Sequence, residues 1–425
     1  MNLRQVLKSR LKSRNTKILV SNFSSLLCLQ LANYVLPLIT LPYLARVLGV
    51  EKFGVLAFAM SVIAYFHTVV DFGFNYTAVR DIAKNRNNLK YISEVFCTVM
   101  YGRIILMILS FCLLLVLIFL IPFFYENRCI LVLTFLYIPG YILFPEWFFQ
   151  AMEEMKYITI LNIIAKLIFT SLIFIVIRSE DDYIYQPILS AVGFLVAGLI
   201  SFGIIIKKFK LIIIRPIYSL IINKIRESWN MFITIFIPNI YNNFSTILLS
   251  YMKGEFAVGI FEGGTKLTSI SSIVTKVLSR TFYPFLSRRI DKHDFFVRIS
   301  LSISLLLSLV LFLGADFFIH IMLGNSFDDS IIVLKILALS PFLLGVLDAY
   351  GTNYLVIICK EKELRNITVA CSIVGFIISF PLIYFWGFLG AAVVLLVTRG
   401  GMALWVYLYS YKQKKKRIFQ NIYGK

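Results

Sequence analysis

Charge is scarce in this sequence: 15% of its 425 residues are charged, against about a quarter in soluble domains. With 59% hydrophobic residues gathered in long runs, a soluble enzyme of this length is excluded. Acids are scarcer than bases, 22 Asp and Glu against 42 Lys and Arg, and there are only 3 His. The six cysteines lie scattered in or beside apolar segments with no CxxC pair, which excludes a zinc knuckle and a disulfide framework. They read as small core residues. A phosphate-binding loop is also missing: Gly263-Gly264-Thr265-Lys266 lacks the Walker A spacing and sits inside an apolar stretch. ATP use, a cofactor and a metal site are therefore not expected. No segment outside the apolar runs is long enough to fold alone.

What is present is a series of apolar runs of the length that crosses a bilayer, about 20 residues each. Twelve are predicted, near 19–45, 53–77, 95–121, 129–149, 157–177, 185–206, 229–252, 257–286, 296–322, 331–358, 366–386 and 388–410. The N-terminus is basic, but the first run is too long for a signal-peptide core and no small-residue cleavage site follows it. Of the 42 Lys and Arg, 29 fall in the two tails and the loops on their side of the membrane, and 5 fall in the opposite loops. Short loops rich in Lys and Arg stay in the cytoplasm, so both termini are expected there. The net charge of +20 is then topology signal beside anionic lipid, not a nucleic-acid surface. The chain divides into a six-helix lobe (1–206), a basic amphipathic connector (207–228), a second six-helix lobe (229–411) and a basic tail (412–425). The connector is expected along the cytoplasmic membrane surface.

The two halves share a pattern. At an offset of 201 residues, Val132-Leu133 meets Val333-Leu334 and Ala191-Val192 meets Ala392-Val393. Nearer the start the offset is 205, where Gly49 and Gly54 meet Gly254 and Gly259, each pair between two spans. Six spans is an even number, so both halves enter from the same side. Parallel repeats about an axis along the membrane normal are a recurring transporter design, with cargo between lobes that rock.

Charges inside spans are costly and mark function. On a helix through 263–280, Lys266, Lys276 and Arg280 fall within about 40° of Glu262, while Leu267, Ile270, Val274 and Leu278 lie off that face. The face is expected to line water; the alternative is that Lys266 pairs with Glu262 and Arg280 snorkels to the surface. Arg103, Lys166, Lys335 and Arg399 add cations in other spans, against the acids Asp71, Glu146, Glu262, Asp316 and Asp348. Lys266, Lys276, Arg280, Lys166, Arg399 and Arg103 are the candidate cationic cavity, which suits an anionic cargo such as a diphosphate. His67 and Asp71 lie one turn apart, either as a proton-exchanging pair or as a structural one. With Glu262 and Asp348 they are the ion-coupling candidates.

The runs NFSSLLCLQLANYVLPLITLPYLARVLGVEKFG (22–54) and YFHTVVDFGFNYTAVRDIAKNR (65–86) resemble the O-antigen flippases of Gram-negative bacteria, the Wzx type. These form the polysaccharide-transport branch of the MATE-like exporter superfamily. The resemblance implies an all-α, V-shaped pair of six-helix lobes in the bacterial inner membrane. It implies transfer of a polyprenyl-diphosphate-linked oligosaccharide from the cytoplasmic to the periplasmic leaflet, coupled to H+ or Na+. Implied partners are membrane lipids, the lipid-linked cargo, and the polysaccharide polymerase with its chain-length regulator. By motif position, Arg46, Asp71, Arg80 and Asp81 carry over, and Arg80, Asp81 and Arg46 are grouped as a cytoplasmic entrance. Two alternatives stay open. A multidrug exporter of the same superfamily favours cationic drugs, against the positive interior. A membrane-embedded polymerase or glycosyltransferase needs an acid, base or metal site, commonly in a sizeable loop, which the short periplasmic segments do not offer.

Overall fold

The computed structural model describes residues 14–423. Among them there are helices and no strand, as a bilayer requires of any chain that satisfies its backbone within each crossing segment. Eight helical runs are long and apolar enough to cross a membrane. The first and the last of these hold two spans each, and a further helical run, Tyr218–Arg288, holds two more. The run Arg14–Asp71, straight, would extend about 87 Å, nearly three times the hydrocarbon thickness. It breaks at Gly49, where φ is 67° and ψ 177°. Tyr218–Arg288 breaks in the same way at Gly254 (φ 81°, ψ 174°), and Glu361–Tyr423 breaks at Gly387. The remaining spans are Leu89–Leu120, Arg128–Ala151 in three short helices, Met155–Val176, Tyr185–Phe209, His293–Met322 in two helices, and 330–356. The expected twelve are all present.

Span surfaces are inverted relative to a soluble protein. Ile108, Leu109, Leu113, Val116 and Phe119 of the third span are exposed, as are Leu305, Leu306 and Leu309 of the ninth. Lipid covers such surfaces, so they carry no desolvation cost. Helix ends follow ordinary capping chemistry. Asn88 accepts from the Tyr91 N–H at 3.1 Å, and Ser179 with Asp182 closes a capping box before the sixth span.

The chain forms two compact units. One comprises Met1–Tyr43 with Val62–Phe236, the other Leu44–Ser61 with Ile237–Lys425. The connector belongs to the first. It is extended around 210–217, and the Ile212 and Ile214 amides donate to Ser93 Oγ and Cys97 Sγ at 3.2 and 3.3 Å. Ile212, Ile213, Ile217 and Tyr218 are left exposed, as a segment lying on a bilayer surface would leave them.

The second unit contains both matched breaks, Gly49 and Gly254. A Cβ built on Gly54 would lie 1.9 Å from the Glu255 carbonyl oxygen, and one on Gly259 would lie 2.0 Å from the Val50 carbonyl oxygen. Under the 205-residue offset these are the same contact seen from each repeat. The two segments cross so closely that only hydrogen fits.

Candidate functional site

In the first unit, the spans bring together four ionisable side chains that are far apart in sequence. Asp71 ends the second span just before a glycine, Gly73 (φ 74°), that starts the helix Phe74–Lys84. Arg103, on the third span, is 1% exposed; its Nη2 donates to Asp71 Oδ1 at 2.5 Å and to Asn75 Oδ1 at 2.7 Å. Asn75 Nδ2 donates to both Asp71 oxygens at 2.8 and 2.9 Å, and Tyr141 OH to Oδ1 at 3.2 Å. Arg103 also stacks on the rings of Tyr141 and Trp147. Glu146 accepts from Asn162 Nδ2 at 2.6 Å, and Lys166 Nζ donates to Asn33 Oδ1 at 2.5 Å.

This geometry withdraws Arg103 from the candidate cationic cavity: it is buried and held by a carboxylate. Nor does His67 hydrogen-bond to Asp71 through its Nε2. The donors on Asp71 come from Arg103, Asn75 and Tyr141, while the His67 ring packs on Tyr137 and Tyr141 with its Nε2 buried and unbonded. Lys166 stands differently. It is half-buried and lines a cavity of about 220 Å³ with Pro37, Thr40, Thr170, Ser190 and Phe194. Pro37 lacks an N–H, so the wall of that cavity includes a helical turn short of one backbone bond.

Elsewhere in the same unit, beside the connector, Arg80 pairs with Glu227 and, at 3.2 Å, with Asp81. Asp81 pairs with Lys224, which reaches Glu227 at 3.0 Å. This four-member cluster opens on a pocket of about 370 Å³ lined also by Tyr91, Glu94 and Asn223. Arg46 does not belong with it. Arg46 lies three residues before Gly49, at the opposite end of the second span, and its Nη2 donates to the Ile321 carbonyl at 2.7 Å. The signature groups Arg46 with Arg80, but the helical run from Gly49 to Asp71, long enough for one crossing, lies between them along the chain, so one entrance shared by both does not follow from the sequence.

In the second unit the four charged residues of the 262–280 helix stand differently. Lys266 is half-exposed and reaches Glu262 at 3.7 Å, and Glu262 also accepts from Thr246. Lys276 and Arg280 are exposed, and Asp348 lies within electrostatic reach of both. Arg399 is half-buried and engaged with its surroundings. Asp348 belongs to a π-helix, Leu347–Val356, a form that recurs at functional sites. Side chains satisfy its widened backbone. Asn353 Nδ2 donates to the Asp348 carbonyl at 3.0 Å and to Ser279 at 2.6 Å, His293 Nε2 meets the Ala349 carbonyl at 2.9 Å, and Ser410 donates to that of Tyr350 at 3.2 Å. Among the described residues, no group of three or more His, Cys, Asp or Glu could hold a metal.

Sequence reasoning missed Asn33, Asn75, Tyr141, Asn162 and Asn353, since an uncharged amide or phenol in a span gives no charge signal. Lys224 and Glu227 were readable as a pair three apart on the connector, where only the basic balance was noted.

Comparison with known proteins extends these findings. A family model described as "Polysaccharide biosynthesis protein" matches residues 19–290. A protein assigned to O-antigen transport in Escherichia coli (strain K12) is 28% identical over 89% of this chain and 93% of its own length. One from Shigella dysenteriae with the same assignment is 27% identical over 86% of this chain and 93% of its own. Among solved structures, the lipid II flippase MurJ superposes with a TM-score of 0.69 at 12% identity, covering 93% of this chain and 87% of that one. A multidrug resistance MATE family transporter of the MOP superfamily gives 0.66 at 12% identity, over 89% and 94%. The fold is that of these transporters.

Proposed function

We propose that this chain, which belongs to the polysaccharide biosynthesis protein family, is a flippase for a polyprenyl-diphosphate-linked oligosaccharide. It carries the repeat unit from the cytoplasmic to the periplasmic leaflet of the bacterial inner membrane by alternating access of its two six-helix halves. An ion gradient drives it, and it hands its cargo to a polysaccharide polymerase with its chain-length regulator. The relatives assigned to O-antigen transport support the substrate class, and the fold supports transport over catalysis.

The observation that carries the reading is the exposed pair Lys276 and Arg280 in the body of a membrane-spanning helix, with Asp348 as the acid in reach. Two cations against one carboxyl leave positive charge for the diphosphate, whose oxygens accept charge-assisted hydrogen bonds. The same excess disfavours a cationic drug as cargo. In a deletion strain, Lys276→Glu and Arg280→Glu are expected to insert normally and to lose surface polysaccharide. Single lipid-linked repeat units should accumulate on the cytoplasmic side. Full surface polysaccharide from both variants would sink the reading, and units capped onto the outer acceptor would indicate a polymerase instead.

A further inference from the structure

The first unit holds two carboxyl groups in its span interior, and their surroundings differ. Asp71 accepts hydrogen bonds from Arg103, Asn75 and Tyr141. Glu146 receives one neutral donor, the Asn162 amide at 2.6 Å, and no ion pair. It opens the short helix Glu146–Ala151 beside the buried Trp147, Phe148 and Phe149.

The charged and titratable groups around it can be named. Asp71, Arg103 and Lys166 act on Glu146 electrostatically. Tyr137 and Tyr141 share its span, and the His67 ring packs on both. The helix Phe74–Lys84, packed on Glu146–Ala151, brings Tyr76, Arg80, Asp81 and Lys84. Arg80 and Asp81 are already paired with Glu227 and Lys224. The fifth span adds Lys156 and Tyr157 near its start, and the sixth has no ionisable side chain from Gln186 to Ile206.

We propose that Glu146 is the proton-binding carboxyl of this unit, and that its proton sets the charge which the Lys166 cavity presents to an anionic group. The second half of this rests on the flippase reading. The Asp71–Arg103 pair stays closed and sums to zero. With Glu146 ionised, Lys166 has a counter-charge and the neighbourhood is neutral. When a hydronium ion gives a proton to a Glu146 carboxyl oxygen and leaves as water, the net charge of the cavity rises by one. Anion binding and proton uptake then favour each other by the same factor.

The test uses the full-length protein in lipid nanodiscs. Infrared difference spectra between acid and alkaline pH are expected to show a protonated-carboxyl band that Glu146→Gln removes. Asn162→Ala deletes only the donor and should move the midpoint of that band by about one pH unit, which keeps the test decisive if Glu146→Gln folds poorly. A band that survives Glu146→Gln, or a midpoint unmoved by Asn162→Ala, overturns the assignment. In a second arm, undecaprenyl diphosphate is titrated calorimetrically in buffers of different ionisation enthalpy. Wild type should take up a proton on binding and bind about tenfold tighter when Glu146 is protonated, whereas Glu146→Gln should take up no proton and bind tightly at every pH. Binding without proton uptake overturns the link to Lys166. No binding at any pH, with the band still assigned to Glu146, overturns the flippase reading and leaves the proton site standing.

Discussion

In the first unit, Asp71 and Arg103 cancel, Glu146 leans on Asn162, and Lys166 on Asn33. In the second, Lys266 meets Glu262 only at 3.7 Å, and Asp348 lies within electrostatic reach of Lys276 and Arg280. The chain repeats a backbone feature, the matched breaks at Gly49 and Gly254, yet the two units handle charge differently. A span that buries a guanidinium must supply its counter-ion, because the unpaired ion would cost several kcal/mol. A span that leaves cations exposed on one face needs water or a ligand there. The first unit therefore compensates its buried guanidinium within itself, while the second leaves cations exposed.

The strongest way to break that comparison is to remove one partner of the closed pair. Arg103→Met is expected to lower stability by about 3–5 kcal/mol, since Asp71 is left buried with neutral donors only. Pairing it with Asp71→Asn should recover a large part of the loss. Thermal unfolding of the purified protein in detergent measures both. Equal stability of Arg103→Met and wild type would mean that the first unit is not internally compensated.

The open charges should respond in the opposite sense. Lys276→Gln is expected to leave stability within about 1 kcal/mol of wild type, as exposed positions do. It should weaken undecaprenyl diphosphate binding about thirtyfold, by loss of one charge-assisted hydrogen bond. Asp348→Asn should tighten binding instead, because the acid no longer competes for Lys276 and Arg280. Isothermal titration with matched unfolding curves separates the two effects. A Lys276→Gln protein that unfolds early and still binds normally would reverse the assignment.

The shared backbone gives a smaller and symmetric effect. Gly254 has φ 81° and ψ 174°, a region that only glycine occupies readily, and a Cβ there would meet nothing within 4 Å. Gly254→Ala thus tests backbone strain alone and should cost about 1–3 kcal/mol. Gly49→Ala, with φ 67° and ψ 177°, should cost a similar amount. Unequal costs, read from unfolding midpoints, would show that the two breaks are not equivalent.

Much of this plan was legible because hydropathy and glycine placement are local. The twelve spans follow from apolar run length, and the 205-residue offset picked out the two glycine breaks. The Gly387 break carried no such marker. The site was legible only as a set of charges. Lys276, Arg280 and Asp348 were found because charge in a span stands out, but pairing depends on which helices pack together. Nothing in the chain says that Arg103 meets Asp71, 32 residues away, in place of His67, four away. Arg46 is a case of a different kind: motif kinship joined it to Arg80, although the helical run from Gly49 to Asp71 lies between them along the chain.

The smallest expected effect falls on Lys266, the one stripe residue for which a simple surface pair was an open alternative. Its ammonium is half-exposed and 3.7 Å from Glu262, a geometry worth about 0–1 kcal/mol. If Lys266 belongs to the pair, Lys266→Met and Glu262→Gln should each shift stability by less than about 1 kcal/mol, and the double variant should match either single one. Binding of undecaprenyl diphosphate should then stay unchanged. If Lys266 belongs to the open stripe, Lys266→Met should weaken that binding as Lys276→Gln does, and Glu262→Gln should strengthen it by removing the competing carboxylate. The double-variant cycle, run on binding and on unfolding, therefore fixes where the compensated part of the second unit ends and the cargo-facing part begins.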